Sequence, residues 1–371
     1  MWIFRGSRKS TVEESRGEQR APELFLTLGA RHRTPVLFLL LSAYFLLPTS
    51  YSRSFARGLY EVREIKPGVF LWTPEDVLDV DGDPQFSRTP NASFIITSEG
   101  AVVVNTTNSP FHAREVLYEV RQRTEQPVRY VIDTDAHADL MMGNEAFVDE
   151  RAAILSTTAA QSEMRWYRYD LARRLREDEN WRLQGRMRGI HPTPASQSFD
   201  TEMTLRLGGQ EIRLVRMSGG HSDGDAVVYL PAQKVLFMGH LFESGFFPRF
   251  SSSNVRRWIE ILRQLEAWDV EVYVPAHGAP GGKKDLADFR QFLEWLVNEV
   301  TTRAKEGKSL SDVKRELNLT ETYKWSAREL APRALEEVFQ QVAREHSVSP
   351  AASPPGNVAP PPPADSLNQV P

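Results

Sequence analysis

Val131-Ile-Asp-Thr-Asp135-Ala-His137-Ala-Asp139-Leu140-Met-Met-Gly143-Asn144 is the stretch whose reading decides the fold. Tyr130-Val131-Ile132 reads as the end of a short buried strand, and Gly143-Asn144 as a turn just beyond it. Asp135, His137 and Asp139 therefore stand at alternate positions where the strand runs out. Alternation brings all three to one side if the segment stays extended. Two carboxylates and an imidazole are costly to crowd on one loop unless a cation or water compensates them. Taken alone, the stretch fits a solvated polar loop as well as it fits a metal site.

The rest of the chain weighs against the solvated loop. There are eight histidines, and three more of them sit beside turn signals: Gly219-Gly220-His221-Ser-Asp-Gly224-Asp225, Met238-Gly239-His240 and Pro275-Ala276-His277-Gly278. Each borders an apolar, β-rich run: Ile212 to Val215, Val227 to Leu230, Val235 to Met238 and Val272 to Val274. A strand end with a glycine beside it is a poor place for a core histidine.

In order and spacing, Thr134-Asp-x-His137-x-Asp139-Leu-x-x-Gly143-Asn144, Gly220-His221-Ser-x-Gly224-Asp225, Leu236-Phe237-Met-Gly239-His240-Leu241-Phe242 and Val274-Pro275-x-His277-Gly278 resemble the metallo-β-lactamase superfamily. The resemblance runs from Tyr60 to Leu296, and its strength is that four separated signals agree. It implies an α/β fold, a four-layer αββα sandwich of two mixed β-sheets flanked by helices, with the ligand loops gathered along one edge between the sheets.

The departures from the family pattern bear on the chemistry. The family's first motif is Thr-His-x-His-x-Asp-His; here Asp135 replaces its first histidine and Leu140 its last. The Gly-Asp whose carboxylate usually bridges two metals is Gly239-His240. His137, Asp139, His221 and His277 fill the remaining ligand positions as the family does. Exchanging His for Asp at 135 and Asp for His at 240 leaves two carboxylates in the set, so the formal charge offered to metal is unchanged. Leu140 ligates nothing, and an imidazole at 240 does not bridge ions as a carboxylate does. The resemblance thus implies one well-held metal and a second that is weak or absent. Asp135, His137 and His221 would hold the first metal and Asp139, His240 and His277 the second where one binds; released from metal, Asp139 would be the catalytic proton shuttle.

Three functional readings follow. The first is a zinc-type hydrolase with one or two ions, acting through metal-activated water on an ester, lactone, amide or thioester of a small-molecule substrate. The second is a mononuclear iron oxygenase-like member of the superfamily, since His137, His221 and Asp135 make two histidines and one carboxylate. The third is a catalytically silent binding protein that kept the fold and lost the metal, which Leu140 permits. So does Asn105, at the end of a strand where the family typically has Asp.

Composition bounds the rest. With 371 residues, 41% hydrophobic content and a formal charge of −4, the chain is long enough for one large domain plus appendages, and nothing in the balance suggests nucleic acid. The absence of cysteine excludes a disulfide framework and thiolate-bound metal. Residues 1–34 are polar and basic, with Arg5, Arg8, Lys9, Arg16, Arg20, Arg31 and Arg33, and read as disordered. Within 35–56, Val36 to Leu47 is an almost unbroken apolar run closed by Pro48. It has the length of a signal-peptide core and falls short of the roughly 20 residues that span a bilayer. Small residues follow in Ser54-Phe55-Ala56. The expectation is export to the cell envelope, periplasmic or membrane-anchored through 36–47. A buried hydrophobic helix is the alternative.

The metallo-β-lactamase-like domain is expected over 59–306. Its first half reads as a strand at Val69 to Trp72, a loop from Asp76 to Ser87 at the mouth of the site, and a hairpin of Ser93 to Thr97 with Ala101 to Val104. A helix opened by Ser109-Pro110 follows, then the strand into Ile132, and Ala152 to Leu155 could be another strand. The second half repeats this with strands at Met203 to Leu207, Glu211 to Met217, Ala226 to Leu230, Lys234 to Met238 and Val270 to Val274. Helices are expected from Asn254 and over Asp285 to Thr302. A helical insertion, 159–189, carries Trp166, Tyr167, Tyr169, Trp181 and Arg165, Arg168, Arg173, Arg174 and Arg176. It either packs its aromatics on the sheets or covers the site; as a lid, its arginines would favour an anionic substrate. Residues 307–346 read as a C-terminal helical cap, with helices over Leu310 to Leu317 and Ser326 to Glu345. Residues 347–371 are Pro-rich and read as a disordered tail.

Overall fold

Alternation at period two writes the first sheet directly into two faces. The structure, a computed structural model, describes residues 60–74, 89–177 and 191–347. The expectations placed on 1–34, on the apolar run 36–47, on the loop 76–87, on 178–190 of the insertion and on the tail from 348 onward lie outside the described residues. Strands β1 (Tyr60–Lys66), β2 (Val69–Pro74), β3 (Ala92–Thr97), β4 (Gly100–Val104), β5 (Val128–Ile132), β6 (Ala153–Thr157) and β7 (Gln197–Phe199) lie side by side in chain order. The pairing is antiparallel from β1 to β4 and parallel from β4 to β7. Parallel neighbours need crossovers, and α1 (Pro110–Arg121) supplies the one between β4 and β5. Ser109 caps α1 by accepting from the His112 N–H, and Pro110 opens its first turn, where a missing N–H costs nothing. Phe94, Ala101, Val103 and Val131 pack with Val116, Leu117 and Val120 of α1. Their neighbours Ile95, Val102, Val104 and Ile132 point the other way, toward Ile212, Leu214, Val228 and Phe237 of the second sheet.

The second sheet has the order β12 (Val272–His277), β11 (Val235–Glu243), β10 (Ala226–Leu230), β9 (Gln210–Arg216) and β8 (Glu202–Leu207). Only β11 and β12 pair in parallel, with helix α4 (Val255–Glu266) in the crossover between them. The outer face of this sheet is covered by α4 and α5 (Lys283–Lys305), whose Trp258, Ile261, Leu262, Phe289 and Leu293 pack with Val227, Leu236 and Met238. Each such side chain contributes about 1.5–3 kcal/mol by leaving water. Two mixed sheets face each other with helices outside, the expected αββα sandwich. The C-terminal helices α6 (Leu310–Glu316), α7 (Leu319–Thr322) and α8 (Ala331–Ser347) bury Val313, Leu319, Leu335, Val338 and Val342 in the same core as Phe292 and Leu296 of α5. No helix among the described residues is long and apolar enough to cross a membrane.

Two boundaries differ most from the sequence expectation. β11 does not stop at Met238 but runs on to Glu243, every residue buried, because Leu241 and Phe242 still pack on the helices beyond the glycine. The C-terminal helix does not start at Ser326. That residue pairs with Phe246 as an isolated bridge, Ala327 takes a left-handed φ of 63°, and α8 begins only at Ala331.

Candidate metal centre

β5 ends at Ile132, and the following segment is turned by its own side chains. Asp135 Oδ1 accepts from the His137 N–H at 2.8 Å, and His137 becomes the residue before a short helix, α2 (Ala138–Met141), that carries Asp139 in its first turn. The extended geometry expected for 135–139 is therefore replaced by a bend and a helical turn. Asp135, His137 and Asp139 still converge, since a turn also brings near neighbours to one side.

Hydrogen bonds hold this segment from behind. Asn105, at a left-handed φ of 60°, accepts from both the Thr134 N–H and its hydroxyl at 3.0 Å. Its amide oxygen thus supports the ligand loop without a carboxylate. Thr106 N–H donates to the Leu140 carbonyl at 2.7 Å, and the Asn144 amide donates to Asp133 Oδ2 at 2.7 Å. The Ala226 N–H, from β10, donates to the Thr134 carbonyl at 2.7 Å and ties the loop to the second sheet.

The three later histidines arrive separately. His221 sits in the turn before β10, where Asp225 accepts from the Ser222 N–H and hydroxyl, and its ring lies 5.3 Å from that of Trp258. Trp258 is fully buried and donates its indole N–H to the Leu241 carbonyl at 2.9 Å. His240 projects from β11 just after Gly239, whose φ of 52° accompanies a break in the β11–β12 register. His277 ends β12, its ring 5.5 Å from Phe246.

All six sequence-selected residues meet. Ligand-capable atoms of Asp135, His137, His221 and His240 lie within 4.8 Å of one another, and so do those of Asp139, His240 and His277. His240 thus belongs to both sets rather than only to the second. Its Nδ1 is 2.7 Å from Asp135 Oδ2, its Nε2 is 3.1 Å from Asp139 Oδ2, and His277 Nε2 is 3.3 Å from the same oxygen. Leu140 is buried and takes no part in either set, as its chemistry requires.

Burial dominates the electrostatics, and the neighbours decide the sign. Burial raises the Asp135 and Asp139 carboxyls, but His240, with His137 at Asp135 and His277 at Asp139, outweighs it and holds both well below the usual carboxylate range. Burial opposes a charge on His240 as well, yet Asp139 and Asp135 on either side raise it well above the ordinary histidine value. His221 goes the other way, lowered by burial and by its neighbours His137 and His240.

The unmet atoms of the donor set fit a bound cation. Asp139 Oδ1 and His221 Nδ1 are buried and have no hydrogen-bond partner among the described residues. A buried polar atom without a partner is costly, on the order of 1–3 kcal/mol. Imidazole nitrogens and carboxylate oxygens converging at this spacing suit a first-row divalent ion, which would satisfy both atoms.

Four contributors were not singled out from sequence. Glu163 and Tyr167, one turn apart on α3 (Thr158–Glu177), lie within electrostatic reach of Asp135. Ala160, Met164 and Tyr167 pack against the first sheet while Trp166 and Tyr169 are 72% and 71% exposed, so α3 packs one face and presents the other to solvent. Glu243, 5% exposed at the end of β11, is pushed up to about 8 by burial, and its Oε2 makes no hydrogen bond among the described residues. A lone acid closing the apolar run Val235 to Phe242 was the available signal for it. Arg249 offered no signal in the sequence.

Comparison with known proteins gives the same answer as the geometry. A family profile described as Metallo-beta-lactamase superfamily matches residues 87–277. Linear primary-alkylsulfatase of Pseudomonas sp. (strain ATCC 19151) is 23% identical over 215 residues, 49% of this chain and 40% of that protein. Metallo-beta-lactamase type 2 of Bacillus sp. (strain 170) is 25% identical over 231 residues, 61% of this chain and 79% of that one. The chain spans only 40% and 46% of the length of the alkylsulfatase and of Metallo-beta-lactamase type 2 from Bacteroides fragilis. In fold, it resembles a metallo-beta-lactamase from Pontibacter korlensis, with a TM-score of 0.50 and 23% identity, covering 63% of this chain and 99% of that one. Sandwich, ligand order and family match agree, and the chain belongs to the metallo-beta-lactamase superfamily.

Proposed function

We propose that the chain is a zinc-dependent hydrolase acting on an ester, lactone, amide or thioester bond of a small-molecule substrate. The observation that carries this reading is the convergence of six buried ligand groups, two of whose atoms, Asp139 Oδ1 and His221 Nδ1, make no hydrogen bond among the described residues. A divalent ion held there acidifies water and polarises a carbonyl or ester oxygen, so no strong protein base is needed. Asp135, His137, His221 and His240 would hold one ion, and Asp139, His240 and His277 a second. His240 turns one ring nitrogen toward each set. Asp139 Oδ1 accepts no hydrogen bond among the described residues, which suits it to take a proton from water and return it to the leaving group. The relatives' names span sulfate esters and β-lactams, so the bond class is the level at which the proposal stands. The apolar run 36–47 supports one more part of it, that the substrate is met in the cell envelope.

The test is elemental analysis of the full-length chain purified without chelator, beside a His137→Ala/His221→Ala double variant. About one zinc or more per chain, lost in the double variant, is the expected result. Iron at that level would transfer the reading to oxygen chemistry. No metal in the parent, even after zinc is added, would leave a binding protein on this fold.

A further inference from the structure

The large hydrophobic side chains that stay well exposed among the described residues all lie on one layer of the domain. Trp166 and Tyr169 on α3 are 72% and 71% exposed, Phe111 and Tyr118 on α1 are 60% and 55%, and Val148, just past the short turn Asn144–Phe147, is 50%. These three elements pack on the outer face of the first sheet, α1 through Val116, Leu117 and Val120, α3 through Met164 and Tyr167, and the turn through Phe147. On the other side of the sandwich, α4, α5 and α8 expose no comparable side chain among the described residues.

Helical geometry gives this exposure a direction. Successive residues turn by about 100°, so Trp166 and Tyr169 stand opposite Met164 and Tyr167. Their rings lie 6.3 Å apart. Phe111 and Tyr118 stand about two turns apart on the side of α1 away from Val116 and Val120. Trp and Tyr, each with an apolar body and a polar edge, are the residues that gather where lipid meets water, and grouped apolar exposure marks a contact surface. Exposed charge on the layer is mixed: Arg114, Arg151 and Arg165 stand among Glu125, Asp149 and Glu163. The layer therefore offers apolar contact without a strong field of one sign.

The chain also enters the domain at this layer. Tyr60, the first residue of β1, sets its ring 5.5 Å from that of Trp72 and donates its hydroxyl to Glu119 Oε1 on α1 at 2.9 Å. Only 48–59 separates Tyr60 from the apolar run 36–47. A stretch of that length reaches about 40 Å at most, so a run seated in lipid tethers the domain by this edge.

We infer that the layer of α1 and α3 is a membrane-docking face, with Trp166, Tyr169, Phe111 and Tyr118 inserted at the surface of a lipid bilayer. This rests on the envelope part of the proposed function and not on the hydrolase part. The competing occupant is a second copy of this chain, which the entry of the chain at Tyr60 does not call for.

The chain has no cysteine, so one introduced thiol carries one probe. Ser162→Cys, exposed on α3, and Gln291→Cys, exposed on α5, are each made in the full-length chain and labelled with a nitrobenzoxadiazole dye. Each is mixed with phosphatidylcholine vesicles, with and without brominated acyl chains. A blue shift and bromine quenching are expected at 162, and neither at 291. In the Ser162→Cys chain, Trp166→Ala/Tyr169→Ala should move the docking equilibrium read by that quenching about tenfold toward the undocked domain, and Phe111→Ala/Tyr118→Ala should act in the same direction. Quenching that neither pair of substitutions alters overturns the inference. A chain that floats with the vesicles while both probes stay in water overturns it and leaves the envelope reading standing. A chain that does not float overturns it as well, and fractionation of expressing cells then decides the envelope reading separately. A blue shift at 162 that grows with protein concentration in the absence of vesicles assigns the face to a second copy and overturns it too.

Discussion

The two sheets contribute to one centre by opposite means. The first delivers Asp135, His137 and Asp139 from a single loop, adjacent in sequence and fixed from behind by Asn105, Thr106, Thr134 and Asn144 through hydrogen bonds. The second delivers His221, His240 and His277 from three separate places, and there the partners are mostly aromatic: Trp258 beside His221 and Phe246 beside His277. A loop that carries its own ligands can be held by local polar contacts. Histidines brought together from distant strands depend on the packing that sets those strands. The contrast predicts that the second region loses more stability per residue altered, since a buried ring removes more apolar area than one hydrogen bond is worth net.

Three substitutions sharpen or break that contrast. Trp258→Ala is expected to cost about 3–5 kcal/mol in denaturant unfolding, because it empties a fully buried ring site and frees the Leu241 carbonyl. Metal content should fall with it as His221 loses its wall. Gly239→Ala tests the seam between the regions. Its φ of 52° strains any side chain, and a new Cβ would collide with Thr134 Oγ1 in the first region. We expect a loss of about 2–4 kcal/mol from strain and overpacking together, read in the same unfolding assay. Thr134→Val removes one hydroxyl donor from Asn105 while the Thr134 N–H bond remains, and should cost only about 0.5–1.5 kcal/mol. If Thr134→Val proves as damaging as Trp258→Ala, the division between a hydrogen-bonded region and a packed one is wrong.

Much of the site was legible in sequence because its residues are chemically conspicuous where they stand. Asp135, His137 and Asp139 follow a clean apolar strand, and His221, His240 and His277 each sit beside glycine or a strand end. Neither placement suits a core residue. Asn105 was legible only as a departure from the family's Asp, and its amide oxygen supports the loop through Thr134. The geometry of the loop was not legible: the bend at His137 comes from the Asp135 carboxylate accepting its N–H, a choice that alternation does not encode. The length of β11 was hidden too, because Gly239 reads as a strand end, whereas packing of Leu241 and Phe242 carries the strand through it. Glu163 and Arg249 bear on the site only through charge that reaches it after folding, and nothing about an isolated glutamate or arginine marks it.

By itself, the sequence determined the alternating strands of both sheets, the helices that cover them, and the six ligand side chains in their order. These follow from local periodicity and residue chemistry, which travel with the chain. Only the tertiary structure decided that His240 faces both Asp135 and Asp139, and that α8 grips the loop following β11. The first depends on where the β11–β12 register breaks at Gly239, and the second on anchors that lie far away in sequence. Both are properties of strand pairing and helix docking, fixed by the burial of the whole core rather than by any stretch within it.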